Sequence, residues 1–169
     1  MTKYHWQTVG MGALAGFRSM TAPALLSSNL LTYHPQALAG SPLRYMQKTW
    51  VAGGFKLLSV GETIGDKLSN APDRIAAGGL LGRAASGALV GATIFRINHD
   101  KTLNGAVLGM LAAVSGSYLS YFLRKRMTRE SGLPGGIVGS FEDLLALGFG
   151  LALTKGTDVG KPQPRAWNL

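Results

Sequence analysis

The stretch TLNGAVLGMLAAVSGSYLSYFL, residues 102–123, contains no charged residue along its whole length. It is long enough to cross a bilayer, because a membrane-spanning helix needs roughly 20 predominantly apolar residues. Small residues recur along it at helical spacing, and they are Gly105, Gly109, Ala113 and Gly116. Such residues allow two helix backbones to approach closely inside a membrane. The stretch therefore predicts a transmembrane helix that packs closely on a neighbour, either within one bundle or between copies of the chain.

Four other segments have helical character and are separated from one another by turn residues. The five predicted helices are A (8–31), B (46–68), C (77–97), D (102–124) and E (135–155). Helix B contains the most charged residues and can also lie at the membrane surface or re-enter the bilayer. We therefore predict an all-α fold, a polytopic helical membrane bundle of about five helices. A single helical membrane domain covers 1–157, and residues 158–169 form a polar C-terminal tail.

The composition also favours a membrane protein. Hydrophobic residues make up 46% of the chain and charged residues 15%, whereas soluble domains have about 25% charged residues. The net charge is +9, but the densest basic run, Arg124-Lys125-Arg126, directly follows helix D. Basic residues at that place anchor a span or contact anionic lipid, so we expect membrane lipid and no nucleic acid as a partner. The absence of cysteine excludes disulfides and thiolate metal sites.

The N-terminal segment has features of a signal peptide, with Lys3, an apolar run and Ala13-Leu14-Ala15. The apolar run is short and contains glycines, and another long apolar stretch follows it, so we interpret the segment as the first helix. Apart from Arg18, Lys56 and Arg83, the lysine and arginine residues divide evenly between the two sides of a five-span bundle, which leaves the orientation open. The basic cluster at 124–129 favours a cytoplasmic N terminus.

Two pairs of short sequences suggest an internal repeat. GALAG at 12–16 is similar to GAVLG at 105–109, and FKLL at 55–58 is similar to FEDLL at 141–145. Helices A and B would then be repeated as D and E around a central helix C, in the inverted arrangement of many transporters. Strings of glycine and alanine also arise from composition alone, and GALVG occurs at 87–91, so both interpretations stay open.

Ionisable residues inside the apolar segments are the candidate functional residues. A charge at the centre of a membrane helix costs roughly 2.5–3.5 kcal/mol on insertion scales, so it usually faces a partner, a cavity or a pathway. The predicted buried charged site consists of Arg18, Glu62, Asp66, Arg83, Glu142 and Asp143. Structural pairing of the two arginines with acids from other helices would require the same residues, so the set alone does not distinguish a site from a scaffold.

The segment GETIGDKLSNAPDR, residues 61–74, is the densest in chemical groups. Glu62 and Asp66 are four residues apart and share a helix face. Two carboxylates on one face can bind a cation or exchange a proton, because burial raises the pKa of a carboxyl group towards neutrality. In the alternative interpretation, Glu62 pairs with a buried arginine and Asp66 lies at a solvated helix end.

Helix A combines Arg18 with a proline, Pro23, a few residues later. Proline should kink the helix near the middle of the membrane and free backbone carbonyls there. A buried arginine beside such a kink is suited to bind an anion or a carboxylate partner.

Few motifs point to catalysis. The histidines His5, His34 and His99 are isolated from one another in the sequence, and neither a Gly-x-Ser-x-Gly motif nor a phosphate-binding loop occurs. We therefore expect no metal, no cofactor and no enzymatic activity. A membrane-embedded lipid-modifying enzyme that uses Arg18, Arg83 and an acid is the alternative.

The sequences GFRSMTAPALLS (16–27), GETIGDKLSNAPDR and LLGRAASGALVGA (80–92), together with Phe141-Glu142-Asp143, resemble an uncharacterised bacterial multi-pass membrane protein family, domain of unknown function 4126. The similarity extends over nearly the whole chain. The family usually has proline where Ser69 stands, a difference that concerns only the shape of a loop. The resemblance implies an integral protein of the bacterial inner membrane and implies no activity.

Three functions are compatible with these observations. In the first, the protein transports a small ion or solute: Glu62 is the coupling carboxylate, Arg18 and Arg83 are the counter-charges, and Glu142 or Asp143 is the opposing acid. In the second, it is a structural or accessory subunit of a larger membrane complex, and it associates with itself or with partner membrane subunits. The third is the lipid-modifying enzyme.

Overall fold

The computed structural model of the protein describes residues 3–65, 77–131 and 148, and all regular structure in these ranges is helical. The α-helices are α1 Lys3–Phe17, α2 Thr21–Tyr33, α3 Thr49–Gly65, α4 Ala77–Ile97 and α5 Thr102–Ser131. Two short 3₁₀ helices, Gln36–Leu38 and Pro42–Gln47, connect α2 to α3. The prediction of an all-α fold is confirmed for the described residues. Predicted helix E lies outside them apart from Gly148, which is helical.

Helices α4 and α5 pack against each other in opposite directions through glycines. Gly91 lies against Gly105, and Gly87 lies against Gly109, so that the backbones themselves are in contact. A Cβ atom added to Gly87 would come within 2.6 Å of the Cβ atom of Ala113, which is closer than carbon atoms of real side chains approach. The two helices can pack this closely because these positions have no side chain.

Helix α1 packs on another face of α5 and runs in the same direction. Gly12 lies against Gly109, where an added Cβ atom would be 2.7 Å from the backbone oxygen, and Gly16 lies against Gly116. The inverted repeat requires the helices containing GALAG and GAVLG to run in opposite directions, so that prediction is wrong for this pair. Three helices, α2, α3 and α4, lie between α1 and α5 in the chain, whereas the prediction placed two helices, B and C, between A and D. The additional helix is α2, which the five-helix interpretation did not include.

Predicted helix A is two helices in the structure. Helix α1 ends at Phe17, residues 18–20 form a turn, and α2 begins at Thr21. Pro23 accounts for the break, because a proline ring clashes with the carbonyl four residues earlier and cannot donate a backbone hydrogen bond. Pro23 itself lies in the first turn of α2, where a backbone N–H is not required. The kink predicted at Pro23 is therefore a complete break that precedes the proline.

Predicted helix B is shorter than expected at its start. Residues 42–47 form a 3₁₀ helix, and α3 begins only at Thr49. Ser41 starts this 3₁₀ helix: its hydroxyl accepts the N–H of Leu43 at 3.3 Å, and a proline follows at the first position. Residues 66–68 of predicted helix B lie outside the described residues. Helix α4 has the bounds predicted for helix C, and α5 continues beyond the predicted end of helix D.

Two of the described helices are long and apolar enough to cross a membrane, judged by length and composition: α4 and the Thr102–Met127 part of α5. Helices α1, α2 and α3 have 15, 13 and 17 residues, fewer than the roughly 20 that a span requires. About five spans are therefore not confirmed within the described residues. The α4 window is 56% buried inside the protein, as in a core helix, whereas that of α5 is 33% buried.

The apolar side chains divide between a core and an exposed outer surface. The core lies between α1, α2, α4 and α5, and its members include Met11, Leu14, Leu26, Leu30, Val90 and Ile94. The outer faces of α3 and α5 expose many large apolar side chains, among them Trp50, Leu57, Ile64, Leu103, Leu111, Leu119 and Phe122. Exposed apolar surface of this extent is typical of contact with lipid or with another protein.

The turn between α4 and α5 is joined to the start of α1. His99 adopts a left-handed conformation with φ 58°, and the N–H of Asp100 donates to the carbonyl of Phe95 at 3.0 Å, which closes the end of α4. The Tyr4 hydroxyl donates to Asp100 Oδ2 at 2.7 Å, and its ring packs edge-on against Phe95. Hydrogen bonds from Tyr4 and from the backbone N–H of Lys101 hold the pKa of Asp100 below its usual value.

We expect Gly109→Ala to destabilise the protein, although alanine normally stabilises a helix interior by about 1 kcal/mol relative to glycine. The new methyl group would collide with the backbone of Gly87, and overpacking of this kind costs about 1–3 kcal/mol. Thermal unfolding followed by circular dichroism measures the change. The matched control is Gly53→Ala, since no atom lies within 4 Å of an added Cβ there. Equal melting temperatures for the two variants would contradict the close backbone packing.

Tyr4→Phe should lower stability in a pH-dependent way. The pKa of Asp100 is lower in the folded protein than its usual value of 3.8, so this interaction stabilises the fold above about pH 4 and is lost as the pH falls through the folded pKa. The difference in melting temperature between wild type and Tyr4→Phe should therefore be largest near pH 7 and shrink below pH 4. Tyr118→Phe, which changes an exposed tyrosine, serves as the control. A difference independent of pH would refute the contribution of Asp100.

Candidate functional site

The break between α1 and α2 is bound by a carboxylate from α3. Glu62 Oε1 accepts the backbone N–H of Ser19 at 2.9 Å and the Ser19 hydroxyl at 3.0 Å, and Oε2 accepts the N–H of Met20 at 3.1 Å. Backbone N–H groups at the start of a helix have no acceptor within that helix. A carboxylate supplies the acceptor and also places its negative charge at the positive end of the helix dipole. Glu62 therefore stabilises the start of α2 from another part of the chain.

Arg18 lies on the other side of the same break and is almost fully buried, with 3% of its surface exposed. Its backbone N–H donates to the carbonyl of Leu14 at 2.9 Å, which completes the last turn of α1. Its guanidinium Nη1 donates to the hydroxyl of Thr63 at 2.5 Å, and that hydroxyl donates to the carbonyl of Ser59 at 3.0 Å. Arg18 at the end of α1 and Glu62, which binds the start of α2, thus form hydrogen bonds on the two sides of the same helix break.

A third polar contact joins α2 to α3, because the hydroxyls of Thr21 and Ser59 are 2.9 Å apart. We call the whole cluster the break site; it consists of Arg18, Ser19, Thr21, Ser59, Glu62 and Thr63. The hydroxyl residues were not predicted from the sequence. The signal was present, since Ser59, Glu62 and Thr63 are three and four residues apart and so share one face of α3.

The break site lies level with the middle of the long apolar part of α5. Gly16, two residues before Arg18, packs against Ala113 and Ser117. The hydroxyl of Ser117 donates towards the carbonyls of Gly16, at 3.1 Å, and Ala113, at 2.9 Å. The centre of the Thr102–Met127 window falls close to these α5 residues.

Arg83 is buried in α4, with 6% of its surface exposed. It precedes Gly87 by one helical turn, and Gly87 packs against Gly109 and Ala113. Because α4 and α5 run in opposite directions and Gly87 faces Gly109, Arg83 lies about one turn further along α5, near the level of Ala113. The two buried arginines are therefore at a similar height in the bundle.

Only part of the predicted buried charged site lies within the described residues. Arg18, Glu62 and Arg83 lie within the described residues, whereas Asp66, Glu142 and Asp143 lie outside them. The alternative in which Arg18 pairs with Glu62 differs from the observed geometry, because Glu62 accepts from Ser19 and Met20 while Arg18 donates to Thr63. Glu62 accepts hydrogen bonds from these N–H groups because the helix break leaves them without an acceptor in their own helix. The prediction of helix A as one continuous helix contained no such groups.

Two further site predictions concern packing and metals. Gly105, Gly109, Ala113 and Gly116 all lie at contacts between helices of the same chain. Association between copies of the chain is not tested by these contacts. Within residues 3–65 and 77–131, no group of three or more histidine and acidic side chains could hold a metal ion.

Comparison with protein-family models, with curated proteins and with solved structures gives no match for this chain. The resemblance to the uncharacterised bacterial membrane family therefore stays a prediction from the residues.

Replacing Glu62 with alanine should destabilise the protein by about 1–3 kcal/mol, because the N–H groups of Ser19 and Met20 lose their acceptor. Glu62→Gln should cost less, since its carbonyl oxygen still accepts one of these hydrogen bonds. Lys56→Ala provides the control, because Lys56 is an exposed residue of the same helix. Thermal unfolding of the purified variants measures the order of stability. If Glu62→Ala melts at the same temperature as Lys56→Ala, the carboxylate does not hold the break.

Proposed function

We propose that this chain is a small integral membrane protein that moves a small ion or solute through the break site. The observation that carries the proposal is the position of a half-buried carboxylate, Glu62, at a helix break beside the buried cation Arg18. Ionisable groups deep in an apolar helical bundle are costly, and they commonly mark a pathway for ions or substrates.

The membrane location is supported by the outer surface of α5. Only 33% of its apolar window is buried inside the protein, and the large side chains that it exposes include Leu103, Leu111 and Phe122. Water is a poor solvent for such a surface, whereas lipid tails match it. The basic residues from Arg124 onwards follow this window, as they do where a span ends at anionic headgroups. With the resemblance to a bacterial family, these features favour the bacterial inner membrane.

The depth of the break site supports a role in transport. If the Thr102–Met127 window crosses the bilayer, the break between α1 and α2 falls near the midplane. Many secondary transporters place their ion and substrate sites at the midplane, where a helix is interrupted and its ends face the ligand. The interrupted helix of this chain differs in one respect, because its positive end is already occupied by the Glu62 carboxylate.

In this proposal Glu62 is the coupling carboxylate. Protonation would remove its negative charge and weaken its hydrogen bonds to Ser19 and Met20, which loosens the break and lets α2 move relative to α1. Arg18 and Arg83 supply the counter-charges. Glu142 or Asp143 as the opposing acid, and Asp66 as a second carboxylate beside Glu62, remain part of the same proposal.

Reconstituted liposomes test the coupling role. Wild-type protein should carry a proton flux, reported by a pH-sensitive dye inside vesicles under an imposed potential, and Glu62→Gln should lower it to the level of protein-free vesicles. Asp100→Asn is the matched control, because it neutralises a carboxylate in the turn between α4 and α5 and should leave the flux unchanged. An unchanged flux in Glu62→Gln would exclude the coupling role.

A second candidate function is a structural or accessory subunit of a larger membrane complex. It is favoured by the fact that both oxygens of Glu62 already accept hydrogen bonds from the same chain. It is also favoured by the exposed apolar face of α3, which contains Trp50, Leu57 and Ile64. Purification in a mild detergent distinguishes the two functions: co-purification with other subunits in fixed proportion, together with no flux for protons, sodium, potassium, chloride or phosphate, would favour the subunit. The lipid-modifying enzyme stays an untested alternative.

A further inference from the structure

A cleft of about 690 Å³ opens where α2 is connected to α3. It is lined by residues of the connector and of the two helix ends, among them His34, Arg44, Tyr45, Gln47 and Lys48. None of these residues belongs to the break site. Lys48 precedes Glu62 by 14 positions, which corresponds to about 21 Å along a helix. The cleft and the break site are therefore separate places on the molecule.

The charge in the cleft is positive, and none of its lining residues supplies a counter-ion. Arg44 and Lys48 line it, no acidic side chain does, and the whole sequence before Glu62 contains no aspartate or glutamate. Within the part of the chain that the structure describes, neither cation forms an ion pair with an acid. The Arg44 guanidinium lies 5.3 Å from the centre of the Tyr45 ring, and its hydrogen bond and charge lower the pKa of the Tyr45 hydroxyl. An anion would thus meet two cations that no acid of the described segments neutralises.

The walls of the cleft are held in place by hydrogen bonds. Gln47 Nε2 donates to the carbonyl of Pro35 at 2.8 Å, which joins the two sides of the connector. His34 closes the end of α2 in a left-handed conformation, and its Nδ1 lies 2.9 Å from the carbonyl of Leu30. A carbonyl only accepts, so the proton sits on Nδ1. The cleft is therefore a preorganised feature of the fold.

The size of the cleft indicates the ligand. A volume of about 690 Å³ lies within the range of roughly 300–1,000 Å³ that is usual for sites of small organic molecules. A bare inorganic ion would occupy a small part of it. A phosphate ester with an attached polar group uses both the cations and the remaining hydrogen-bonding side chains, because arginine and lysine bind phosphate oxygens through charge-assisted hydrogen bonds.

The position of the cleft indicates the source of the phosphate, in a step that rests on the proposed membrane location. With the break site near the midplane, a distance of about 21 Å along α3 reaches the headgroup region, which lies roughly 15–22 Å from the midplane. Tyr45 and Trp50 beside the cleft are exposed, and aromatic side chains of this kind are enriched at that depth. We propose that the cleft between α2 and α3 binds a phosphate ester through Arg44 and Lys48, with the headgroup of an anionic phospholipid as the ligand.

Binding to the purified full-length protein in a neutral detergent tests this proposal. Native mass spectrometry measures binding of dioctanoyl phosphatidylglycerol, with dioctanoyl phosphatidylcholine for comparison, and calorimetry measures binding of glycerol 1-phosphate. We expect the double variant Arg44→Gln/Lys48→Gln to bind phosphatidylglycerol about tenfold more weakly than wild type, since two charge-assisted hydrogen bonds are lost. Lys3→Gln/Lys101→Gln removes the same charge from two exposed residues away from the cleft and should bind as wild type does.

A second variant separates shape from charge. Ala39→Trp keeps both cations and fills part of the cleft, of which Ala39 is a lining residue, and it should also weaken binding. Binding of phosphatidylglycerol but not of glycerol 1-phosphate supports a lipid headgroup as the source, and binding of both supports a phosphate site that free esters also reach. Equal weakening by Lys3→Gln/Lys101→Gln, equal binding of phosphatidylcholine, or wild-type binding by Arg44→Gln/Lys48→Gln overturns the proposal. None of these measurements depends on ion flux, so failure of the lipid-binding proposal can be distinguished from failure of the transport proposal.

Discussion

The rest of the structure depends on one constraint, which is that the backbone of α5 is in direct contact with the backbones of α1 and α4. Gly87 and Gly91 of α4 pack on one face of α5, and Gly12 and Gly16 of α1 pack on another. A side chain at any of these positions would separate the helices. Because the three backbones are fixed in this way, the end of α1 is fixed as well, and the break that follows it is held level with the middle of α5.

The break between α1 and α2 depends both on the local sequence and on contacts from a helix that is distant in the chain. Pro23 prevents a continuous helix, and the interruption leaves N–H groups that need an acceptor. Glu62 supplies it, while Arg18 is held by the hydroxyl of Thr63 from the next turn of the same helix. Neutral hydroxyl and backbone groups thereby supply hydrogen bonds to both charged side chains inside an apolar bundle. The two charges are thus bound at neighbouring points of one helix break by different groups.

Sequence patterns predicted the parts of the fold that depend on local periodicity. The bounds of α4 and the start of α5 were correct because long apolar stretches end there at Asn98-His99-Asp100. The division of helix A was missed, since a proline in an apolar stretch is compatible with either a kinked helix or a complete break, and the sequence pattern alone does not distinguish them. Arg18 and Glu62 were identified by their cost in an apolar segment. The hydroxyl residues that bind them were not identified, because serine and threonine cost little free energy in an apolar segment and so give a weaker sequence signal than a charge does.

The sequence separation within the break site has a consequence for how the chain is assembled. Ser19 and Met20 find their acceptor 43 and 42 residues later in the chain. At a synthesis rate of about 5–20 residues per second, Glu62 emerges roughly 2–9 s after these residues. During that interval the start of α2 has no acceptor from α3, so α1 and α2 cannot adopt their final relation as they are made. The order of synthesis therefore makes the centre of the bundle one of the last parts of its N-terminal half to be completed.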